Sequence, residues 1–135
     1  MSELSELKDL LPKAQAEAKN FQAERLTLQK AFASFLQHLN ALELYAEAQV
    51  PAPYGGTLSY SPNGGKWEIY VNIDGHRLQV VDARYEHQVI AAERLSALLV
   101  EICNNALARA EESRRAVAQV QDLVQEVLAY KLQEF

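Results

Sequence analysis

The sequence is poor in cysteine, glycine and proline, and it lacks long apolar runs. Cys103 is the only cysteine among 135 residues, so an internal disulfide framework is excluded. No apolar run approaches the roughly 20 residues that a membrane-spanning helix needs. The first residues, MSELSELKDLL, are acidic and amphipathic, which does not fit a signal peptide. We therefore expect a cytoplasmic protein without a membrane partner.

The few glycines and prolines divide the chain into three parts. There are five glycines and four prolines, and all except Pro12 lie between Pro51 and Gly75. Because these residues interrupt helices and form turns, the pattern predicts a helical front, a turn-rich middle and a helical back. The length suits a single domain over residues 1–135.

The front of the chain carries a heptad repeat that predicts a long helix over about residues 2–48. Its apolar residues recur at alternating spacings of three and four, and the charged residue Arg25 interrupts them once. The repeat consists of Leu4, Leu7, Leu11, Ala14, Ala18, Phe21, Leu28, Phe32, Phe35, Leu39, Leu42 and Ala46. Such spacing is typical of a coiled-coil seam. Pro12 predicts a kink or a fresh helix start near residues 11–12.

The middle of the chain predicts a small antiparallel sheet over about residues 57–83. Period-two alternation in KWEIYVNI indicates a strand with one buried face. Asn63-Gly64 and Asp74-Gly75 suit tight hairpin turns, because their central residues tolerate positive φ. We therefore predict a three-stranded meander with strands at about 57–61, 66–73 and 76–83.

A meander of this size cannot close its own core, and this predicts dimerisation. Its apolar side chains form more surface than two helices easily cover. We therefore expect a homodimer whose interface includes Trp67, Ile69, Val71, Leu78 and Val80.

The back of the chain predicts a second long helix over about residues 91–133, since it contains no glycine or proline. Asn104 and Asn105 lower its helix propensity, so we expect them to bond a neighbouring loop or strand. Small side chains in its seam would let another helix approach closely, and these are Cys103, Ala106 and Ala110.

Together these segments predict an α+β protein of order α-β-β-β-α. Both helices are longer than the sheet can cover. We therefore expect an elongated molecule that dimerises through its sheet and helices.

Two stretches carry a resemblance, GGKWEIYVNIDGHRLQVVDARY and ERLSALLVEICNNALARAEESRR. They resemble the YbaB/EbfC family of bacterial nucleoid-associated proteins, whose helix pattern is L-x-x-L-[LI]-x-x-A-x-N-[DN]-A-x-x-[KR]-x-E-E. The matching positions here are Leu95, Leu98, Leu99, Asn104, Asn105, Ala106, Arg109, Glu111 and Glu112. The resemblance covers residues 64–115 and is weaker in the first helix, which lacks the methionine- and glutamine-rich character of many members. It implies a homodimer with projecting helices that binds DNA with little sequence preference and lies at the nucleoid.

Basic residues indicate where a DNA-binding surface would lie. If the two helices run antiparallel from the sheet, one belt forms from Lys19, Arg25, Lys30, Arg109, Arg114 and Arg115. Such a belt would contact phosphates and release counterions. The alternative is that these are solvated helix faces, balanced by nearby glutamates in i,i+4 pairs. A net charge of −5 argues against binding driven by total charge.

No constellation of residues indicates catalysis, metal binding or a cofactor. His38, His76 and His87 fall on different predicted elements without metal-ligand spacing, and Cys103 has no histidine partner in sequence. We therefore expect no enzyme and no small-molecule substrate. Two functions stay open. One is a dimeric DNA-binding protein; the other is a coiled-coil interaction module for a protein partner, such as a scaffold, a chaperone-like protein or a secretion-associated factor.

Overall fold

The computed structural model describes residues 2–133 and places a four-stranded antiparallel sheet between two long helices in the chain. Helix α1 spans Glu3–Ala41 and helix α2 spans Tyr85–Gln133. Across the sheet, in chain order, lie β1 (Ala48–Ala52), β2 (Gly56–Asn63), β3 (Lys66–Ile73) and β4 (His76–Gln79). The predicted α+β class, with a long helix before and after the sheet, is confirmed. None of the described helices is long and apolar enough to cross a membrane.

Strand β1 is not predicted from the sequence, because Pro51 by itself indicates only the end of a helix. The strand pairs antiparallel with β2 and places Val50 opposite Leu58. The Pro51 carbonyl oxygen accepts a hydrogen bond from Arg94 on the outer side of this edge strand. In an antiparallel strand the N–H and C=O groups of one residue point to the same side of the strand. The missing N–H of Pro51 therefore faces away from β2 and removes no sheet hydrogen bond.

Helix α1 ends at Ala41 rather than near residue 48. Glu43 and Tyr45 take positive φ angles of 55° and 46°, which turn the chain toward the sheet. Ala46 is then buried, so tertiary packing ends the helix where the heptad pattern alone would continue it. At the other end of α1, the helix continues through Pro12 without the predicted fresh start. A proline removes one backbone hydrogen bond, and the turns on either side still form theirs.

Strand β4 ends at Gln79 and helix α2 begins at Tyr85, both earlier than predicted. The chain between them forms a short 3-10 turn, Val80–Asp82. Gln88 is 4% exposed, and its Nε2 donates a 3.0 Å hydrogen bond to the Val80 carbonyl oxygen. Gln29 of α1 donates a 3.0 Å hydrogen bond to the Val81 carbonyl oxygen. Contacts distant in sequence therefore shape this turn.

The core lies between one face of the sheet and both helices. Buried residues include Val50, Leu58, Tyr60, Ile69 and Val71 of the sheet, Phe32 and Leu39 of α1, and Ala91, Leu98 and Ile102 of α2. Because one continuous cluster joins all three parts, the chain closes its own core.

The two helices run in the same direction along the sheet, so the antiparallel arrangement assumed for the basic belt is wrong. Near one end, the Phe21 ring of α1 packs edge-on against Tyr85 of α2, with centroids 4.8 Å apart. Near the other end, Arg109 of α2 donates hydrogen bonds to the carbonyls of Leu44 and Tyr45, just after α1. Residue numbers therefore rise in the same direction along both helices.

Two helical arms extend from opposite ends of the packed body as a result. The α1 arm is residues 3–20, which precede the first contact of α1 with α2. The α2 arm is residues 110–133, which follow the contact of Arg109. All side chains in residues 3–27 and 107–133 are exposed.

Candidate functional site

The structure does not bring the predicted DNA-binding residues together. Arg25 lies near the start of α2, where its guanidinium carbon is 5.9 Å from the Tyr85 ring centroid. Arg109 lies about 36 Å further along α2, at the rise of an α-helix. Lys19 and Lys30 flank Arg25 on α1, while Arg114 and Arg115 follow Arg109. The six residues therefore form two separate groups within one chain, and DNA contact by them stays a prediction.

Two arginines of the second group have local partners. The Arg109 guanidinium donates a 2.6 Å hydrogen bond from Nη2 to the Leu44 carbonyl and another from Nη1 to the Tyr45 carbonyl. Arg109 thus holds the loop after α1 against α2. Arg115 lies 3.7 Å from Glu111 in an i,i+4 pair whose side chains are 74% and 67% exposed. An ion pair this exposed adds little stability.

Polar side chains of α2 bind the outer edge of β1 and the loop before it. Arg94 Nε donates a 2.8 Å hydrogen bond to the Pro51 carbonyl, and Asn105 Nδ2 donates one of 2.8 Å to the Glu47 carbonyl. Arg94 thus occupies a backbone acceptor on the open side of the edge strand, while Asn105 and Arg109 occupy acceptors in the loop before it. The expectation that both asparagines bond a neighbouring segment is confirmed for Asn105 alone. Asn104 is exposed.

The expected helix contact of Cys103 and Ala110 is wrong. Both are exposed, so no described helix of the chain covers them. The face of α2 that packs on the sheet instead carries Leu98 and Ile102, each 0% exposed.

The predicted dimer-interface residues do not form one exposed patch. Ile69, Val71 and Val80 are at most 1% exposed, so the chain's own helices already cover them. Trp67 is half-buried, and its ring lies 5.1 Å from the Tyr60 ring, centroid to centroid. Leu78 alone is substantially exposed, at 40%. The premise that two helices cannot cover the sheet is wrong, because both helices lie on the same face; homodimerisation itself stays a prediction.

The arms carry a large part of the exposed apolar surface. On the α1 arm, Leu4, Leu7, Leu10 and Leu11 are each at least 47% exposed, and we call them the α1 stripe. On the α2 arm, the side chains at least 49% exposed include Val117, Val120, Leu123, Val124, Val127, Leu128 and Tyr130, which we call the α2 stripe. Five residues of the α2 stripe, from Val120 to Leu128, line a shallow apolar groove.

Heptad spacing in the sequence predicts only part of the α2 stripe. Val117, Val120, Val124 and Val127 follow the heptad spacing directly. Leu123, Leu128 and Tyr130 flank those four positions, and together the seven residues form an apolar face wider than a coiled-coil seam.

A polar network beneath the sheet links α1 to two strands. The Tyr60 hydroxyl donates to Asn40 Oδ1, and Asn40 Nδ2 donates a 3.1 Å hydrogen bond to the Trp67 carbonyl. Burial raises the pKa of the Tyr60 hydroxyl, with smaller contributions from Tyr45 and Glu68. Since every member has a partner, this network orders the core and holds α1 on the sheet.

The open face of the sheet carries a second polar arrangement. The Arg77 guanidinium carbon lies 3.8 Å from the Tyr70 ring centroid, and Arg77 Nη2 donates a 2.8 Å hydrogen bond to Ser61 Oγ. These contacts fix Arg77 flat against β2 and β3. Among residues 2–133, no group of three or more His, Cys, Asp or Glu side chains is arranged to hold a metal ion.

Comparisons of this chain with protein-family models, curated proteins and solved structures find no match. The YbaB/EbfC resemblance is therefore neither supported nor contradicted by them.

Proposed function

We propose that the protein is a non-enzymatic helical interaction module, in which two arms extend from the packed body and bind helical partners. The observation that carries this proposal is the contrast between a self-contained core and apolar arms that are exposed along their whole described length. Leu58, Ile69, Leu98 and Ile102 are 0% exposed, whereas the α1 and α2 stripes keep about half or more of each side chain in contact with solvent. Contiguous exposed apolar surface of this kind marks interaction sites.

The geometry of the arms suits binding to other helices. At the rise of an α-helix, the α1 arm is about 27 Å long and the α2 arm about 36 Å. Their apolar residues follow spacings of three and four, which is the pattern that fits into the grooves of a partner helix. Each large side chain buried in such a contact would contribute about 1.5–3 kcal/mol. The uninterrupted stripes therefore provide enough apolar surface for stable association.

Polar replacement of each stripe tests the proposal. One variant carries Leu4→Gln, Leu7→Gln and Leu11→Gln, and the other carries Val120→Gln, Val124→Gln and Val127→Gln. We expect at least one to reduce self-association in sedimentation velocity, with the dissociation constant rising about tenfold per residue. The thermal unfolding of the body should stay unchanged, because these residues lie outside the core.

The matched control replaces outward-facing residues of the α2 arm, Gln119→Ala and Gln125→Ala, and should leave association unchanged. If neither stripe variant alters the sedimentation of a chain that associates, or if the wild-type chain stays monomeric, the interaction module is the wrong function for these arms.

DNA binding is the second candidate function. Two observations favour it: the resemblance over residues 64–115, and the exposure of Lys19 on the α1 arm and of Arg114 on the α2 arm. Titration of a labelled duplex at two salt concentrations tests it, since phosphate contacts weaken as salt rises. The variant Arg114→Glu with Arg115→Glu should abolish that binding, and Lys131→Glu, near the tip of the arm, should have a smaller effect. Absence of salt-sensitive binding would eliminate this candidate.

A further inference from the structure

The α2 stripe carries no charge at the heptad positions that flank its four valines. Numbered as a heptad, its core positions are Val117, Val120, Val124 and Val127. The flanking positions on either side of that core are Ala116, Gln121, Leu123, Leu128 and Tyr130. The acidic residues of this stretch, Asp122 and Glu126, occupy outward positions. Over residues 116–130, a partner with the same pattern would therefore bring no like charges together across the contact.

The stripe continues the face of α2 that packs on the sheet. Val120 lies about five helical turns beyond the buried Ile102, and Ala116 about five turns beyond the buried Leu98, so each pair shares one helix face. The sheet does not reach the arm. The α1 arm extends from the other end of the body, so it cannot cover this stripe within the same chain.

Antiparallel pairing with another copy avoids a steric conflict that parallel pairing creates. The sheet and the stripe lie on the same side of α2. If a second α2 arm ran parallel to the first, the sheets of both chains would lie at the same end of the paired arms and would occupy the same space. In the antiparallel direction the two bodies lie at opposite ends of the paired arms.

We propose that the α2 arm pairs with the α2 arm of a second copy of this chain as an antiparallel two-stranded coiled coil. This inference rests on the proposed interaction function and names its partner. The heptad register places Val117 opposite Val127 of the second copy, and Val120 opposite Val124 of the second copy. Leu123 then meets its own symmetry mate, because the twofold axis passes near the middle of the stripe.

Three features of the arm match this register. Ala116, the smallest flanking residue, faces Tyr130 of the second copy, the largest. Gln133 of the second copy reaches the level of Glu111, so the described arms overlap from Glu111 to Gln133 without reaching the loop contacts of Arg109. Paired over this length, the arms bury on the order of 1,300 Å², which lies within the range of stable protein interfaces.

Disulfide trapping distinguishes the antiparallel register from the alternatives. In a background with Cys103→Ser, which removes the exposed native thiol, one chain carries Ala116→Cys and a separately purified chain carries Tyr130→Cys. Mixed and mildly oxidised, they should form a covalent heterodimer as the main product. In a parallel pair these two positions would be about 21 Å apart and could not be joined. The matched control, Ala118→Cys mixed with Tyr130→Cys, places the first thiol on the outward side and should give little product.

The outcomes of these experiments distinguish the antiparallel α2 pairing from the more general interaction module. A predominant Ala116→Cys homodimer, or a monomeric wild-type chain in sedimentation velocity, overturns the antiparallel pairing. Association that is lost in the α1-stripe variant and retained in the α2-stripe variant also overturns it, while leaving the interaction module in place. An associated chain that neither stripe variant affects removes both proposals. A heterodimer that appears only with the Ala116→Cys and Tyr130→Cys mixture supports the register.

Discussion

Asn105 on α2 donates a 2.8 Å hydrogen bond from its Nδ2 to the carbonyl oxygen of Glu47, which immediately precedes the edge strand β1. The two residues are far apart in sequence, and their contact fixes where the chain enters the sheet. It also explains an asparagine inside a long helix, where this residue type lowers helix propensity.

Replacement of Asn105 should weaken β1 without affecting the rest of the sheet. We expect Asn105→Ala to lower the free energy of unfolding by about 1 kcal/mol, because one backbone acceptor loses its partner. Hydrogen exchange should show faster amide exchange in β1 than in β3. Asn104→Ala is the matched control, since this neighbour is exposed and should have little effect on exchange. Equal effects of the two substitutions would contradict the assigned role.

Arg109 and Arg114 should differ in their effect on stability although they carry the same charge. Arg109 donates to two loop carbonyls, whereas Arg114 is exposed on the arm. We expect Arg109→Ala to lower the free energy of unfolding by about 1–3 kcal/mol in chemical denaturation. Arg114→Ala should change it by less than about 0.5 kcal/mol. A reversed order would mean that the loop does not depend on Arg109.

A methyl group at Gly56 should disturb the start of β2. A Cβ atom there would lie 2.5 Å from the Asn72 carbonyl oxygen, and backbone on both sides leaves little room to adjust. We expect Gly56→Ala to lower the free energy of unfolding by about 1–3 kcal/mol in thermal or urea denaturation. For comparison, a Cβ atom at Gly55 would have no neighbour within 4 Å. We expect Gly55→Ala to lower the free energy of unfolding only by the strain of its φ of +71°, about 1–2 kcal/mol. An unaffected Gly56→Ala protein would show that β2 and β3 separate easily at this point.

The stability of the protein should fall at high pH because of Tyr60. Burial raises the pKa of this hydroxyl in the folded state, so the neutral form is favoured by folding. The resulting stability is fully present below the unfolded tyrosine pKa of about 10 and is lost as pH rises through the folded value. Urea denaturation across this range should show a decline that Tyr60→Phe reduces.

The Tyr60→Phe protein should also be less stable at neutral pH, because Asn40 loses the hydroxyl that donates to it. Tyr54→Phe serves as the control, since Tyr54 is 82% exposed and should leave the pH dependence unchanged. A decline of equal size in the wild-type and Tyr60→Phe proteins would assign the effect to other groups.

Local sequence patterns predict the elements that are determined by residues close together in the sequence. The strand predicted at 66–73 is β3 as observed, and the turn at Asp74-Gly75 forms with positive φ at both residues. The other hairpin turn lies at Gly64-Gly65, one residue later than predicted. Period-two alternation and turn chemistry act over a few residues, which is why these elements were accessible.

Contacts between distant segments decided the elements that were missed. Pro51 fits into a strand because its missing N–H faces away from β2, on the side where Arg94 of α2 donates to its carbonyl. Helix α1 ends early because Arg109 and the buried Ala46 hold the loop after it. No sequence pattern within residues 42–52 indicates that Arg94 and Arg109 of α2 will contact them. The candidate site depends on such contacts in the same way. The basic belt assumes an antiparallel helix direction, and the contacts of Phe21 with Tyr85 and of Arg109 with Leu44 together show that the direction is parallel.

The sequence by itself determined that this chain forms two long amphipathic helices around a small antiparallel sheet, because heptad spacing, alternation and glycine turns are local properties of the chain. Only the tertiary structure decided that the helices run in the same direction on one face of the sheet. That arrangement follows from which apolar side chains fill the shared core and which carbonyls accept from α2, and it leaves the two arms extended in opposite directions with their apolar stripes exposed.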